Sequence, residues 1–158
     1  MNRVSDYPRY VTRNWVPFNA LELAKITEKL VCRKEDRARK YTAFYSVGVY
    51  GGIATGYGVG CCLRCIFCWV SPSRDFPEKY GDFFSPEEAY SRIIAAARKR
   101  GVHKARISGC EPTLCREHLL GLLEYIEDDP WISIFILETN GILFGADKDY
   151  VKKIFDVS

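Results

Sequence analysis

The chain has 158 residues, 47% of them hydrophobic and 27% charged, and its formal net charge is +3. This composition is typical of one globular domain of ordinary size, and the charge is too small to indicate nucleic-acid binding by itself. No apolar run approaches the ~18 residues of a membrane-spanning helix, and the first residues lack the apolar core of a signal peptide, so we expect no membrane contact.

The first 43 residues are expected to form an extension before the main domain. Residues 1–18 carry aromatic residues and prolines without periodicity, which indicates an irregular segment. Asn19, with Glu22 three positions later, marks a helix start. We predict a helix from about residue 20 to residue 43, with a solvated charged second half and with Cys32 as a buried thiol.

From residue 44 to residue 60 the pattern changes to β-branched and aromatic residues among frequent glycines. This pattern predicts one or two strands, and glycine within a strand often marks close approach by another backbone or a ligand. The strand that leads into Cys61 is expected to be the first of the core sheet.

Four of the seven cysteines follow within eight positions. Thiolates packed this densely favour a metal centre, because they would otherwise repel one another. Cys61, Cys65 and Cys68 have the spacing C-x3-C-x2-C, which suits a cluster that keeps one iron open. Starting instead from Cys62 gives the opening of a bacterial ferredoxin run, but that run needs a fourth cysteine where the chain has Pro72.

The number of cysteines also bears on the compartment and on the kind of metal. An odd number, clustered rather than spread, argues against a disulfide scaffold and favours the reducing cytoplasm. A zinc knuckle is the competing interpretation of the cluster, and it usually needs two cysteine pairs or a cysteine pair with a histidine pair. The two histidines, His103 and His118, do not have that spacing.

The motif Cys61-x3-Cys65-x-Phe67-Cys68 resembles the signature of the radical S-adenosylmethionine (radical SAM) superfamily, and the residues after it are similar to the cluster loop of its activating-enzyme-like members. The resemblance implies that the three cysteines hold a [4Fe–4S] cluster. It also implies that the amino and carboxylate groups of S-adenosylmethionine chelate the fourth iron, and that one electron from the cluster cleaves the sulfonium to a 5′-deoxyadenosyl radical. Phe67 is implied to pack beside the adenine.

The polar loop from residue 70 to residue 84 is expected at the surface near this cluster. A clear helix start follows, with Ser85 as the N-cap, a proline in the first helical position and Glu88 closing a capping box. The helix is predicted to end at Gly101, after three cations that suit the negative end of the helix dipole. The second strand is predicted at residues 102–108.

The second strand runs into Ser108-Gly109-Cys110-Glu111-Pro112. Sites in parallel α/β folds collect at the carboxyl ends of strands, so a glycine and a carboxylate there indicate a ligand. The stretch resembles the Gly-Gly-Glu-Pro element of the family, which binds the amino group of S-adenosylmethionine through backbone carbonyls and the glutamate. The resemblance assigns this role to Gly109, Cys110 and Glu111, with Cys110 in place of the second glycine.

A helix over residues 115–126 is expected next, with His118 at the surface or its boundary. The apolar run 131–137 predicts a strand buried on both faces, as in a parallel sheet. It leads into a Thr-Asn-Gly segment similar to one that lies near cofactor or substrate in the family. Glu138 and Asn140 are therefore candidate cofactor-binding residues, although a strand-end hydrogen bond explains Glu138 equally well. A last helix is predicted from about residue 147.

Strands and helices alternating at these lengths predict right-handed βαβ units and a parallel sheet. The fold class is α/β: a partial (β/α) barrel of about three units at residues 44–158, the radical SAM-like core, behind the N-terminal helical extension at 1–43. The barrel of the family has six units. Three interpretations of the shortfall stay open: a fragment of a longer protein, a chain that pairs with a second chain to complete the barrel, and a divergent short form. The outer edge of the third strand is expected to be exposed or paired with another molecule.

The predicted function is that of a radical SAM enzyme or a fragment of one, which binds the cluster and S-adenosylmethionine and takes an electron from a donor. The sequence does not indicate whether its substrate is a small molecule, a protein or an RNA. Two other classes stay open. An electron-transfer iron–sulfur protein would recruit a fourth ligand from Cys62, Cys110 or Cys115, and a zinc-stabilised binding module would be colourless.

Overall fold

The computed structural model describes residues 7–9 and 17–157. The predicted irregular segment at residues 1–18 therefore lies largely outside the described residues. In chain order, the helices and strands are α1 (Ala20–Val31), β1 (Cys32–Arg33), β2 (Ala38–Val47), β3 (Ile53–Gly58), α2 (Ser71–Asp75), β4 (Asp82–Phe84), α3 (Pro86–Arg100), β5 (Lys104–Ser108), α4 (Arg116–Glu127), β6 (Ile134–Leu137), α5 (Ile142–Ala146) and α6 (Lys148–Val157).

One mixed sheet carries the fold, with strand order β1-β2-β3-β5-β6 and with β4 paired to β2. β3, β5 and β6 are parallel, and Ala105 of β5 lies opposite Ala54 on one side and Phe135 on the other. β2 pairs antiparallel with β3. The predicted parallel units of a partial barrel are thus confirmed as a curled half barrel, to which the antiparallel strands add an unpredicted edge.

The core lies between the parallel strands and the helices α3 and α4. Side chains from both helices and from β5 are completely buried there, namely Ile93, Ala97, Ile107, Leu119 and Leu122. Burial of each large aliphatic side chain stabilises the fold by roughly 1.5–3 kcal/mol. Among the described residues, none of the helices combines the length and the apolar character needed to cross a bilayer.

The predicted helix over residues 20–43 is wrong in its second half, and so is the prediction of a buried thiol at its end. The helix ends at Val31, and Cys32 already has an extended backbone. Cys32 is joined to Cys115 by a disulfide that spans 83 residues of sequence. This cross-link fixes the end of α1 to the start of α4.

A tight turn replaces the helix after β1. Arg33 and Asp36 form an ion pair at 2.6 Å, and an oxygen of Asp36 accepts a hydrogen bond from the backbone nitrogen of Ala38. Such Asp-centred turns compete with helix because the side chain satisfies backbone donors locally. The division of the chain into an extension and a core at residues 43 and 44 stays a prediction, and strand β2 runs across it.

The predicted start and end of α3 are confirmed. The hydroxyl of Ser85 accepts a hydrogen bond from the backbone nitrogen of Glu88, and the carboxylate of Glu88 accepts one from the backbone nitrogen of Ser85. Gly101 ends the helix with a left-handed backbone at φ 63°. The loop before this helix is not wholly at the surface as predicted, because it contains α2, where Arg74 and Asp75 are buried.

The last parallel strand, β6, is not buried on both faces as predicted. Ile134 at its start is 49% exposed, because β6 is the end strand of the sheet among the described residues. A groove of about 510 Å³ runs along this edge. Its apolar lining includes Leu123, Ile126, Ile132, Phe135, Leu137 and Ile154.

His118 is buried, with 1% exposure, and not at the surface as expected. Its Nδ1 lies 2.9 Å from the carbonyl of Arg37, to which it donates, so its Nε2 accepts the hydrogen bond from the hydroxyl of Tyr41 at 2.8 Å. Burial lowers the pKa of His118 to about 3. The ring is therefore neutral in the folded protein at ordinary pH.

The disulfide can be tested by counting thiols. Alkylation of the anaerobically unfolded protein should modify five of the seven cysteines without reductant and all seven after reduction. Loop entropy in the unfolded chain gives a cross-link of this span a stabilisation of up to about 4.5 kcal/mol, so Cys32→Ser should lower the free energy of unfolding under non-reducing conditions. Mass spectrometry of that variant should count Cys115 as a free thiol, and seven modified cysteines in unreduced wild type would contradict the disulfide.

The buried histidine should make stability depend on pH. The unfolded His118 binds a proton at its ordinary pKa near 6.5, whereas the folded one binds it near 3, so the unfolded state binds more protons between these values. The free energy of unfolding should therefore fall by about 2 kcal/mol between neutral pH and about pH 5. Urea unfolding should show this loss in wild type and a smaller one in His118→Gln, and equal losses in both would contradict the assignment.

Candidate metal and cofactor site

Three chain segments meet at the carboxyl ends of β3, β5 and β6. The backbone nitrogen of Glu111, after β5, donates a hydrogen bond to the carbonyl of Gly60, after β3, at 2.8 Å. The backbone nitrogen of Asn140, after β6, donates to the carboxylate of Glu111 at 2.8 Å. The side-chain nitrogen of Asn140 in turn reaches the sulfur of Cys62 at 3.4 Å. The carboxyl ends of parallel strands are where ligand sites collect, and here hydrogen bonds join all three.

The loop after β3 carries the three predicted metal ligands. Cys61, Cys65 and Cys68 are free thiols, partly exposed, and the backbone nitrogen of Cys68 donates a hydrogen bond to the carbonyl of Cys65 in a turn. Within the described part of the chain, no three His, Cys, Asp or Glu side chains are already arranged to hold a metal ion. The loop thus supplies three thiols of the right chemistry, and their role as ligands stays a prediction.

Cys62 differs from its neighbours because its side chain is completely buried. It packs in a second apolar cluster with Val31, Val59 and Leu114. A hydrogen bond between the two adjacent thiols raises the pKa of Cys61 and lowers the pKa of Cys62. Cys62 therefore belongs to the support of the loop.

Glu111 is buried, with 1% exposure, and its carboxylate ties two strand ends together. One oxygen accepts hydrogen bonds from the backbone nitrogen and the hydroxyl of Thr113 and from the hydroxyl of Thr139, at 2.5 to 3.0 Å. The other oxygen accepts the bond from Asn140. Sequence reasoning named Glu111 and Asn140 and missed the two threonines, although both stand directly beside the recognised motifs.

Cys110 fits in the place of a glycine because the facing strand has no side chain there. A Cβ on Gly58 would lie 2.3 Å from the sulfur of Cys110. The same sulfur accepts a hydrogen bond from Arg39 at 3.2 Å, and burial raises its pKa to about 12. The thiol is therefore protonated at neutral pH. Gly109 beside it has φ 77°, and a Cβ there would lie 2.7 Å from the ring of Tyr57.

Arg39 also supports the turn after β5 that contains Cys110 and Glu111. Sequence reasoning missed this role, because it placed Arg39 on a solvated helix face. Its guanidinium is completely buried and donates hydrogen bonds to the carbonyls of Pro112 at 2.9 Å and of Val59 and Glu111 at 3.4 Å. A buried cation is tolerated when most of its donors are paired, and here both terminal nitrogens of the guanidinium are paired while Nε has no partner among the described residues. Arg39 thereby fixes the backbone on which Cys110 and Glu111 stand.

Two other predicted cofactor-binding residues, Phe67 and Glu138, do not take part in the hydrogen bonds that join the three strand ends. Phe67 is 85% exposed, and with Ile66 and Trp69 it makes an apolar surface on the cysteine loop. Glu138 forms an ion pair with Arg106 at 2.6 Å, so a strand-end contact explains this residue. The structure thus brings Cys61 together with the turn after β5 and with Asn140, and leaves Phe67 at the surface.

The fit between Gly58 and Cys110 can be tested by exchanging the two residue types. Gly58→Ala should lower the free energy of unfolding by about 1–3 kcal/mol, because overpacking strains the contact. Cys110→Gly in the same chain should restore most of the loss, which gives a coupling of about 1 kcal/mol or more in a double-mutant cycle measured by urea unfolding. Gly145→Ala, where a Cβ meets nothing within 4 Å, is the control. Additive losses would contradict the fit.

Comparison with known proteins adds independent evidence. The family model of the radical SAM superfamily matches residues 56–157. A GTP 3′,8-cyclase of Desulforamulus reducens is 36% identical over 93 residues, which are 59% of this chain and 28% of that protein. A GTP 3′,8-cyclase of Syntrophomonas wolfei is 36% identical over 92 residues, 58% of this chain and 27% of that protein. A probable GTP 3′,8-cyclase of Methanococcus vannielii is 36% identical over 93 residues, 59% of this chain and 29% of that protein.

The extent of these matches limits what they show. The chain spans less than a third of the length of these curated relatives. No solved structure matches the chain significantly. The family match, however, covers well over half of the chain and includes the cysteine loop, the turn of Glu111 and the segment of Asn140. The chain therefore belongs to the radical SAM superfamily, a superfamily of enzymes.

Proposed function

We propose that this chain forms the part of a radical SAM enzyme that binds the [4Fe–4S] cluster and S-adenosylmethionine, with Cys61, Cys65 and Cys68 as the cluster ligands. The observation that carries the proposal is the convergence of a free-thiol loop with Glu111 and Asn140 at the ends of three parallel strands. When bound, the cluster supplies the electron that reductively cleaves S-adenosylmethionine to a 5′-deoxyadenosyl radical.

The chemistry of the donor set fits a cluster with three protein ligands. Cysteine thiolates are the ordinary ligands of iron–sulfur clusters. The three candidates for a fourth ligand are engaged elsewhere: Cys115 is in a disulfide, Cys110 is sealed against Gly58 and Arg39, and Cys62 is completely buried. These contacts favour an open iron over the closed site of an electron-transfer protein.

The residues around the loop have roles consistent with holding the methionyl end of S-adenosylmethionine. One oxygen of Glu111 accepts a single hydrogen bond among the described residues, so it retains capacity to accept one from an ammonium group. The backbone of Gly109 and Cys110 borders the same position. Asn140 lies against the sulfurs of the cysteine loop and orients it. Glu138, held by Arg106, is less well supported as a cofactor ligand.

A zinc-stabilised module is supported less well, because neither histidine is available to the cysteine loop. Both ring nitrogens of His118 are engaged with Tyr41 and Arg37. His103 lies before β5, at the opposite end of the strand from the site, and its Nδ1 contacts the carbonyl of Trp131. A zinc site would therefore have to use thiols alone.

The substrate and the partners of the whole protein extend beyond what this chain carries. The GTP reaction named for the relatives is not transferred, because the matched regions are less than a third of each relative. We infer that the chain needs an electron donor, and that the outer edge of β6 is paired by a strand from the rest of the protein or from a second chain. The five free thiols suit a reducing compartment such as the cytoplasm, whereas the disulfide between Cys32 and Cys115 is of a kind that is rare there.

Single substitutions at the cysteines test the ligand set. In anaerobically reconstituted protein, Cys61→Ala, Cys65→Ala and Cys68→Ala should each abolish the visible absorption and most of the bound iron. The matched control Cys62→Ala should keep most of the absorption and most of the iron, because this thiol packs in the apolar cluster beneath the loop and is not a proposed ligand.

The readouts also separate the competing functions. Iron with formation of 5′-deoxyadenosine from S-adenosylmethionine and dithionite supports the proposal. Colourless protein that contains zinc, or a full cluster in Cys61→Ala, would contradict it.

A further inference from the structure

Three charged side chains are buried together beneath the cysteine loop. Arg64 and Arg74 are 6% and 2% exposed, and Asp75 is 3% exposed. The carboxylate of Asp75 accepts hydrogen bonds from Arg74 at 2.7 and 3.0 Å, and a nitrogen of Arg64 lies 3.4 Å from it. Two guanidinium groups thus share one carboxylate, which leaves one positive charge unbalanced within this trio.

Both arginines also hold the backbone of the loop itself. Arg64 donates hydrogen bonds to the carbonyls of Cys61 at 3.0 Å and Leu63 at 2.8 Å. Arg74 donates to the carbonyl of Cys65 at 2.9 Å. The carbonyls of two of the three proposed ligands are therefore fixed by the trio.

The charge of Arg74 lies directly beneath the cysteine loop, because its guanidinium is buried and donates a hydrogen bond to the carbonyl of Cys65. The buried positive charge is therefore close to the backbone of a proposed ligand.

The unbalanced charge needs a negative partner. Among the residues that the structure describes, one nitrogen of Arg64 is buried without a hydrogen-bond partner, and the ring of Tyr7, 4.9 Å from its guanidinium, offers a weak cation–π contact. The nearby Arg9 is itself paired with Glu78 at 3.0 Å, so this pair leaves the balance of the trio unchanged. An uncompensated buried charge is costly. A cluster held by three thiolates is anionic, and its reduction adds a further negative charge.

We propose that Arg64, Arg74 and Asp75 form a cationic base that positions the cysteine loop and raises the reduction potential of the cluster held there. The base acts on the potential because a buried positive charge stabilises the more negative, reduced cluster more than the oxidised one, and net charge and hydrogen bonding are known determinants of cluster potentials. The inference rests on the proposed function. The redox step takes one electron from a low-potential reductant such as dithionite, and no bond is formed or broken.

Charge changes at neighbouring positions of the trio should move the potential in opposite directions. Arg64→Gln leaves the paired Arg74 and Asp75 neutral overall, so it should lower the midpoint potential of the reconstituted protein. A tenfold change in the equilibrium constant for reduction corresponds to about 59 mV for one electron. Asp75→Asn removes the shared carboxylate and should raise the potential. A purely structural role would not give opposite signs.

Two control variants separate charge from shape and from distant electrostatics. Arg64→Lys keeps the charge and should hold the potential closer to wild type than Arg64→Gln does. Lys79→Gln removes an exposed cation from the segment between α2 and β4. This change should leave the potential unchanged because solvent and salt screen the charge of Lys79. The potentials are measured by redox titration followed by absorbance and electron paramagnetic resonance.

The outcomes distinguish this inference from the proposed function. A wild-type chain that binds no iron–sulfur cluster overturns both. If the wild type binds a cluster, two results overturn the inference alone. In the first, the potential in Arg64→Gln and Asp75→Asn equals that of the wild type. In the second, it shifts in the same direction in both variants. Equal shifts in Arg64→Gln and Arg64→Lys also overturn it. If Asp75→Asn does not fold, the comparison of the glutamine and lysine variants at position 64 decides.

Discussion

The buried carboxylate of Glu111 is the interaction on which the site depends. A carboxylate is tolerated in the interior only when hydrogen bonds compensate the loss of water, and bonds to a charged acceptor are roughly twice as strong as neutral ones. Its donors come from the turn after β5 and from the loop after β6, while the backbone nitrogen of Glu111 reaches Gly60 after β3. Glu111, through its side chain and its backbone nitrogen, therefore joins three loops that are far apart in the sequence.

The features that could be predicted from the sequence are those whose causes are local. The capping box of α3 and the strand that leads into Cys61 each depend on residues a few positions apart. The prediction for the second half of the helix was wrong because the residues there are held by partners that are distant in the sequence. Arg39 is compensated by carbonyls 72 and 73 residues away, and Cys32 is held by a partner 83 residues away. A charged run gives no sign of such partners, so it resembles a solvated surface.

The site itself divides in the same way. Motif spacing named the three cysteines, Glu111 and Asn140 as candidate site residues, since these follow predicted strands. It could not identify the groups that hold them, because those come from other elements and are of unremarkable type. Gly58 and Cys110 are an example. The side chain of Cys110 stands where a glycine was expected, and it fits because Gly58 on the facing strand has no side chain. This pair is visible only in the structure, where Cys110, just after β5, lies against Gly58 at the end of β3.

Under the proposed function, the open edge of the sheet in the described residues explains why this chain would bind the cofactors without specifying a substrate. The loop that contains Asn140 follows β6 directly, so a strand pairing with the outer edge of β6 in parallel would place its own carboxyl end beside the same site. Loops from that strand would complete the wall of the site and exclude water from it. The described residues supply the thiols, the carboxylate and the buried cations on one side of the reaction space. Under the proposed function, selection of the substrate would belong to the element that covers the groove along β6.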